Sequence, residues 1–116
     1  MSTAVNPPRR STLVARSWIG RVPAEKAEAY HAYVEATGIP GLRGTPGNLS
    51  AEILRRTVGG VTEFLVLSTW DSIESVRAFA GDQIDRARYY PEDEEFLLEM
   101  PETVEHWELF PDPRRT

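Results

Sequence analysis

A short strand that is apolar on both of its faces constrains the fold of this chain more than any other feature. Phe64, Leu65, Val66 and Leu67 are all apolar, so a strand through them carries apolar side chains on both sides of its sheet. Such a strand is typical of the centre of a sheet that is covered on both faces. With 116 residues the chain forms one domain, so its own helices can cover one face and the other face needs a second cover.

Alternating apolar and polar positions predict further strands around this one. The second and third strands are joined at Gly59-Gly60, a dipeptide that can supply the positive φ angles of a tight hairpin. The predicted strands are 12–22, 49–58, 61–70 and 103–110.

The first helix is expected directly after strand one. Pro23 suits a first helical position, Tyr30 and Val34 lie on its apolar face, and Gly38 ends it. The segment from Gly38 to Asn48 holds four glycines and two prolines, which predicts a long loop. A loop of this length in a small domain is a candidate for ligand contact.

The second helix has the clearest start signal. Asp71-Ser72-Ile73-Glu74 is a capping box, in which Asp71 would accept bonds from the first-turn amides and Glu74 would reach back. Gly81 closes this helix. Pro91 and the acids at 92–95 predict a short third helix, because carboxylates suit the positive end of the helix dipole. That helix would bury Phe96, Leu97 and Leu98.

The resulting order of elements is β-α-β-β-α-β. With right-handed crossovers, this order gives an antiparallel four-stranded sheet with helices on one face, which is a ferredoxin-like α+β fold. The other face is then bare and too apolar for water, so we expect a homodimer in which two subunits pack sheet to sheet. The expected domain covers residues 12–110, between a mobile arm at 1–11 and a tail at 111–116.

Charge and composition argue against several classes of function. The net charge is −5, and the eight acids between residues 92 and 108 have no Lys or Arg among them, which opposes nucleic-acid binding. The absence of cysteine excludes disulfides, thiolate metal sites and a cysteine nucleophile. No apolar run approaches the roughly 20 residues of a membrane span, and the first 12 residues lack a signal-peptide core. We therefore expect a cytoplasmic protein that binds no membrane.

The sequence also lacks the usual signals for a metal or nucleotide cofactor. His31 and His106 are the only histidines, and their contexts do not suggest one metal site. No Gly-rich phosphate-binding fingerprint follows strand one. We therefore expect neither a metal nor another cofactor.

Most of the chain resembles the antibiotic biosynthesis monooxygenase domain family. The resemblance rests on residues 62–81, 89–93 and 104–108 and spans roughly 13–110. The most recognisable family element is Trp-x-Ser-x-Glu with a Phe five residues on, and it is matched by Trp70, Ser72, Glu74 and Phe79. The resemblance implies a dimeric α+β barrel.

The resemblance leaves several activities open, because the superfamily includes cofactor-free oxygenases, haem-degrading enzymes and polyketide cyclases. Haem-degrading members carry a proximal His in the helix after the family Trp and an Asn on strand one, and this chain has neither. Three hypotheses remain: a cofactor-independent monooxygenase that oxidises a phenolic, quinol or anthrone-like substrate with dioxygen, a polyketide cyclase or isomerase, and a noncatalytic protein that binds small aromatic molecules.

Three residues are the main candidates if the chain is an oxygenase. Trp70 matches a pocket position of the family and is expected to wall a cavity between the sheet and the helices, unless it only fills the core. A neutral His106 can accept a proton from a phenol, although a histidine on an edge strand is more often structural or solvated. Asn48 can donate to a developing oxyanion or cap a turn.

Four further residues are expected to bind the substrate. Arg16 and Trp18 share one face of strand one, where Arg16 either holds an anion or pairs with Glu108 on the adjacent strand. Tyr89 and Tyr90 precede the third helix and can close the pocket or hold that helix against the core.

Overall fold

An antiparallel sheet of four strands forms the centre of the computed structural model, which describes residues 5–9 and 12–114. The strands are β1 (Leu13–Pro23), β2 (Asn48–Val58), β3 (Val61–Trp70) and β4 (Glu105–Leu109). They lie in the order β2-β3-β1-β4, so the strand that contains Phe64 to Leu67 is central, as expected. This arrangement confirms the predicted ferredoxin-like α+β fold. The expected arm and tail fall partly outside the described residues.

Helices cover one face of the sheet and enclose the core. The helices are α1 (Ala27–Ala36), α2 (Gly38–Arg43) and α3 (Ile73–Ala80), with 3-10 turns at Ala24–Lys26 and Pro91–Glu95. Even-numbered residues of β1 and β3 point toward these helices, as the burial pattern of both strands shows. The largest fully buried apolar side chains are Val14, Val22, Tyr30, Phe64, Trp70 and Val76.

The expected long loop after α1 is in fact largely helical. α2 occupies Gly38–Arg43 because Ile39 and Leu42, three residues apart, both bury their side chains in the core. Pro40 is the third residue of this helix, where its missing N–H costs nothing because first-turn amides have no partner within the helix. The remaining loop before β2 is only residues 44–47.

The expected third helix is a single 3-10 turn, Pro91–Glu95. The chain leaves this turn in an extended form, because the amide of Leu98 donates to the Arg21 carbonyl at 2.8 Å, alongside β1. As a result Leu97 is buried, but Leu98 is 48% exposed.

Two element boundaries also differ from the expected ones. β4 begins at Glu105 because the residues before it pair elsewhere: the amide of Val104 donates to the Asp85 carbonyl at 2.8 Å. The cap of α3 is Ser72 rather than Asp71, since Ser72 Oγ accepts from the Ser75 amide at 3.2 Å. Asp71 instead accepts from the Ser75 hydroxyl.

The face of the sheet away from the helices carries exposed apolar side chains. Ile19 is 42% exposed, Leu54 48% and Trp107 53%. The pairing of Ile19 with Leu65 and of Leu65 with Leu54 places three apolar residues in a row across three strands. This face is where the homodimer predicted from the sequence would form.

Two structural findings concern membranes and metals. Within the described residues, no helix is both long and apolar enough to cross a bilayer. The same part of the chain contains no group of three or more His, Cys, Asp or Glu side chains arranged to hold a metal ion.

Candidate functional site

A cavity of about 90 Å³ lies between the sheet and the helices. Strand register forms its floor: Arg16 lies opposite Ser68, and Trp18 lies opposite Val66. All four of these residues line the cavity. The walls come from the helices and from the segment before the 3-10 turn, and they include Tyr30, Val34, Leu42, Phe79, Arg88, Tyr89, Tyr90 and Asp93.

Trp18 is fixed on the cavity floor by its neighbours. Its indole lies so close over Gly20 that a Cβ at that position would stand 2.2 Å from the Trp18 Cη2 atom. The Trp18 Nε1–H donates to the Tyr89 hydroxyl at 3.0 Å, and that hydroxyl in turn donates to the Pro101 carbonyl. The two rings meet edge to face with centroids 6.1 Å apart. Trp18 and Tyr89, each of which the sequence predicts to contact the substrate, therefore form one rigid part of the cavity.

Arg16 brings a positive charge to the cavity from the sheet. Arg16 is only 5% exposed. Its Nη1 donates to the Ile84 carbonyl at 2.6 Å and contacts His106 Nε2 at 2.9 Å. Nη2 donates to the Arg86 carbonyl at 3.2 Å. Burial lowers the pKa of Arg16 to about 10, so the guanidinium stays charged at neutral pH.

The expected pairing of Arg16 with Glu108 is wrong. Antiparallel register places Arg16 opposite His106 and places Glu108 opposite Val14, so the carboxylate is two pairs further along the strands. The partners of the buried guanidinium are instead carbonyl oxygens and an imidazole.

His106 lies beside Arg16 and does not line the cavity. Its Nε2 faces a guanidinium that can only donate, so Nε2 is the acceptor, and Nδ1–H faces Asp85 Oδ1 at 3.2 Å. Burial and the Arg16 charge lower the pKa of His106, which favours this neutral form, and Asp85 partly offsets them. The imidazole therefore holds Arg16 in place, and it can take a proton from a substrate only by releasing that contact.

Asn48 and Trp70 also lie outside the cavity lining. Asn48 Nδ2 donates to the Ser50 and Thr69 carbonyls at 3.1 and 3.2 Å, at an irregularity in the pairing of β2 with β3. Trp70 is fully buried, and its Nε1–H donates to Ser68 Oγ at 2.9 Å. Its ring packs on Phe79 with centroids 5.8 Å apart, so Trp70 supports two residues that do line the cavity.

Asp93 is a cavity residue that the sequence pattern does not single out. It is 5% exposed and accepts from the Tyr90 amide at 2.7 Å and from the Tyr30 hydroxyl at 3.1 Å. Burial raises the pKa of Asp93, and these hydrogen bonds partly offset that effect. In the sequence Asp93 is one of four consecutive acids, and only its position at the third residue of a turn that starts with Pro91 marks it.

Tyr90 closes the cavity against α2. Its hydroxyl reaches the Thr37 carbonyl at 3.4 Å, and a Cβ at Gly41 would stand 3.1 Å from it. Tyr90 is 36% exposed, so it lies at the opening of the cavity rather than deep inside. This is the position expected for a residue that closes a pocket.

A sequence model of the antibiotic biosynthesis monooxygenase family matches residues 20–83, which is more than half of the chain. The chain belongs to this family. The matched region runs from β1 to the end of α3 and includes the Trp70, Ser72, Glu74 and Phe79 element on which the sequence resemblance rests. No curated protein matches the chain by sequence.

Solved structures support the family fold. A candidate antibiotic biosynthesis monooxygenase from Bacillus cereus is 13% identical, with a TM-score of 0.60 over 87% of this chain and 96% of that one. A second candidate of the family from Nitrosomonas europaea is 17% identical, with a TM-score of 0.59 over 89% and 94%. The heme-degrader MhuD from Mycobacterium tuberculosis is 21% identical, with a TM-score of 0.57 over 86% and 97%. At these identities the similarity shows the fold, and the chemistry must be argued from the residues of the site.

Proposed function

We propose that this family member is a cofactor-independent monooxygenase that oxidises a small phenolic or quinol-like substrate with dioxygen. The observation that carries the proposal is an aromatic cavity into which the sheet presents the buried, charged Arg16. Aromatic walls bind a flat ring, and a guanidinium in a site of low dielectric stabilises a phenolate strongly.

The size of the cavity favours a small substrate. A single water needs a cavity on the order of 10–15 Å³, so a cavity of about 90 Å³ suits one or two fused rings better than a porphyrin. In addition, α3 contains no His that could ligate haem iron. Both observations favour a mono- or bicyclic phenol over haem.

The reaction needs no external reductant. For a naphthol, the C–H carbon opposite the hydroxyl becomes a carbonyl carbon and the hydroxyl becomes the second carbonyl. One oxygen atom of dioxygen enters the product, and the other leaves as water with the two hydrogens that the substrate loses. The electrons come from the phenolate, so the protein's task is to remove the phenolic proton, stabilise the anion and exclude water.

We assign these tasks to other residues than the sequence alone predicts. We assign stabilisation of the phenolate to Arg16, since Asn48 lies outside the cavity lining. We assign proton acceptance to Asp93, because it lines the cavity and its raised pKa brings a carboxylate closer to that of a useful base. His106 then acts as a positioning residue through Arg16.

Oxygen consumption tests the proposal. Naphthols and naphthohydroquinones are offered to the protein in an oxygen electrode, with heat-denatured protein as the blank. We expect one dioxygen consumed per quinone formed, one labelled oxygen atom in the product from ¹⁸O₂, and no oxygen returned when catalase is added. If no substrate consumes oxygen above the blank, the proposal fails. A product of unchanged mass would then indicate a cyclase or isomerase, and binding without turnover would indicate a binding protein.

The Asp93→Asn variant tests the assignment of the base. Loss of a general base lowers the rate by roughly 10²- to 10⁴-fold, whereas ligand affinity should change little because the amide keeps an oxygen for the Tyr90 amide. Steady-state kinetics on the best substrate measure the effect. The control is Arg77→Gln, which changes an exposed residue of α3. If Asp93→Asn keeps wild-type turnover, the assignment of the base to Asp93 is wrong. Loss of turnover in His106→Ala does not by itself identify the base, because His106 also holds Arg16 in place.

A further inference from the structure

Two arginine side chains face the cavity without an acidic partner. Arg16 and Arg88 both line it, and their guanidinium carbons lie 5.6 and 4.7 Å from the centroid of the same Phe79 ring. Among the described residues, no Asp or Glu oxygen lies within 4.0 Å of either guanidinium. The partner of Arg88 is instead the Phe79 carbonyl, at 2.5 Å.

A buried cation without an anion is costly, and the neighbours of Arg16 reduce this cost only in part. Its contacts are two carbonyl oxygens and the neutral imidazole of His106. The acid closest to this cluster, Asp85, contacts His106 rather than Arg16, and its side chain is 75% exposed. The negative charge of Asp85 raises the pKa of Arg16, and the positive charge of Arg88 lowers it by a smaller amount, so the two cations repel each other. A ligand anion placed against both would relieve this repulsion.

We propose that the ligand of this cavity is an aromatic acid, with its carboxylate held by Arg16 and Arg88 and its ring lying over Trp18. The inference rests on the proposed function only in taking this cavity as the substrate site. A planar carboxylate matches the fork of a guanidinium, and the described contacts of Arg16 use Nη1 and part of Nη2, which leaves the Nε side for a ligand. A phenol without a carboxylate offers the two arginines no negative charge until the protein removes its proton.

Binding of a matched ligand pair tests the inference. 2-Naphthoate and 2-naphthamide have nearly the same shape and differ in charge, and neither carries the hydroxyl needed for oxidation. We expect isothermal titration calorimetry on the wild-type protein to show naphthoate binding at least about tenfold more tightly than naphthamide, as charge-assisted hydrogen bonds do. Equal affinities, or no binding of either ligand at millimolar concentration, would overturn the inference.

Variants test whether these two arginines cause the preference. Arg88→Gln should reduce the preference for naphthoate several-fold, and because Arg88 is exposed the variant should fold normally. Arg16→Lys keeps the buried charge and should weaken naphthoate binding while leaving naphthamide binding unchanged. Arg77→Gln removes an arginine of α3 that does not line the cavity, and it should bind both ligands as the wild type does. A preference that survives both Arg88→Gln and Arg16→Lys would contradict the inference.

The two proposals can fail separately. 1-Hydroxy-2-naphthoate carries both the carboxylate and an oxidisable hydroxyl, so it reports on oxidation in the oxygen electrode. If naphthoate binds selectively and hydroxynaphthoate consumes no oxygen, the aromatic-acid site stands and the monooxygenase proposal fails. If naphthol is oxidised and naphthoate shows no preference, the monooxygenase proposal stands and the aromatic-acid site fails.

Discussion

At the scale of single residues, the cavity floor depends on one position that has no side chain. Gly20 does not have a positive φ, so the backbone conformation does not require glycine here. Glycine is required for space, because the Trp18 indole occupies the volume that a Cβ would need. Leu97 approaches the same point at 3.0 Å. Trp18 can therefore lie flat on the sheet and reach the Tyr89 hydroxyl only because residue 20 is glycine.

Gly20→Ala should push Trp18 off the cavity floor and break its hydrogen bond to Tyr89. Overpacking of this kind costs about 1–3 kcal/mol, which urea unfolding measures, and ligand affinity should fall with it. Gly60→Ala is the matched control, because a Cβ there meets nothing within 4 Å, and its effect should stay within about 0.5 kcal/mol. Equal stability of the two variants would show that Trp18 moves aside freely.

His106 should make the folded protein lose stability in mild acid. Its pKa is lowered in the folded state by burial and by Arg16, while the unfolded chain has the ordinary value near 6.5. Below that value the unfolded state binds a proton that the folded state does not, so the free energy of unfolding falls as pH drops from 6.5 toward the folded pKa.

His106→Gln removes this titration and should flatten the dependence of stability on pH in that window. Urea unfolding of both proteins between neutral pH and pH 5 measures the difference. Parallel curves for the two proteins would contradict the proposed contact between a neutral His106 and Arg16.

At the scale of elements, the repeating patterns of the sequence account for the strands and for two helices. Buried and less buried residues alternate along β1 and β3, because one face of each strand is covered by helices. The sequence pattern does not predict α2. Its glycines and Pro40 are typical of a loop, and only the spacing of Ile39 and Leu42 indicates a buried helix. Tertiary packing decides such a segment, and local propensity does not.

The site was less predictable than the elements, and the reason is register. That Arg16 and Trp18 share one face follows from alternation, whereas the pairing of Arg16 with His106 depends on how two distant strands align. The burial of Asp93 likewise depends on where the 3-10 turn packs. Neither contact has a signal in the local sequence.

The cap of α3 provides a test at this scale. Ser72 Oγ accepts from the Ser75 amide, so Ser72→Ala should destabilise the protein by about 1 kcal/mol, measured by urea unfolding. The matched control is Ser17→Ala on β1, because the Ser17 hydroxyl also accepts a hydrogen bond, from the exposed Trp107. A larger loss for Ser17 than for Ser72 would contradict the assignment of the cap.

At the scale of the whole molecule, the sheet has one covered face and one open face. The helices bury the side that contains the cavity, while the opposite side presents the row formed by Ile19, Leu65 and Leu54, flanked by Trp107. A central strand that is apolar on both faces is explained if a second copy covers this row. The cavity lies on the other side of the sheet, so a partner there would stabilise the floor without blocking the site.

Leu54→Glu should therefore separate the two subunits of the predicted homodimer. A two-fold interface places the same patch on both copies, so the change introduces two carboxylates into one apolar contact. Sedimentation equilibrium at micromolar concentration should give twice the chain mass of 13.1 kDa for the wild type and the single mass for the variant. Ala29→Glu, on the exposed side of α1, is the control and should remain a dimer with unchanged circular dichroism. A wild-type mass near 13.1 kDa would refute the dimer and leave the apolar face of β3 without a cover.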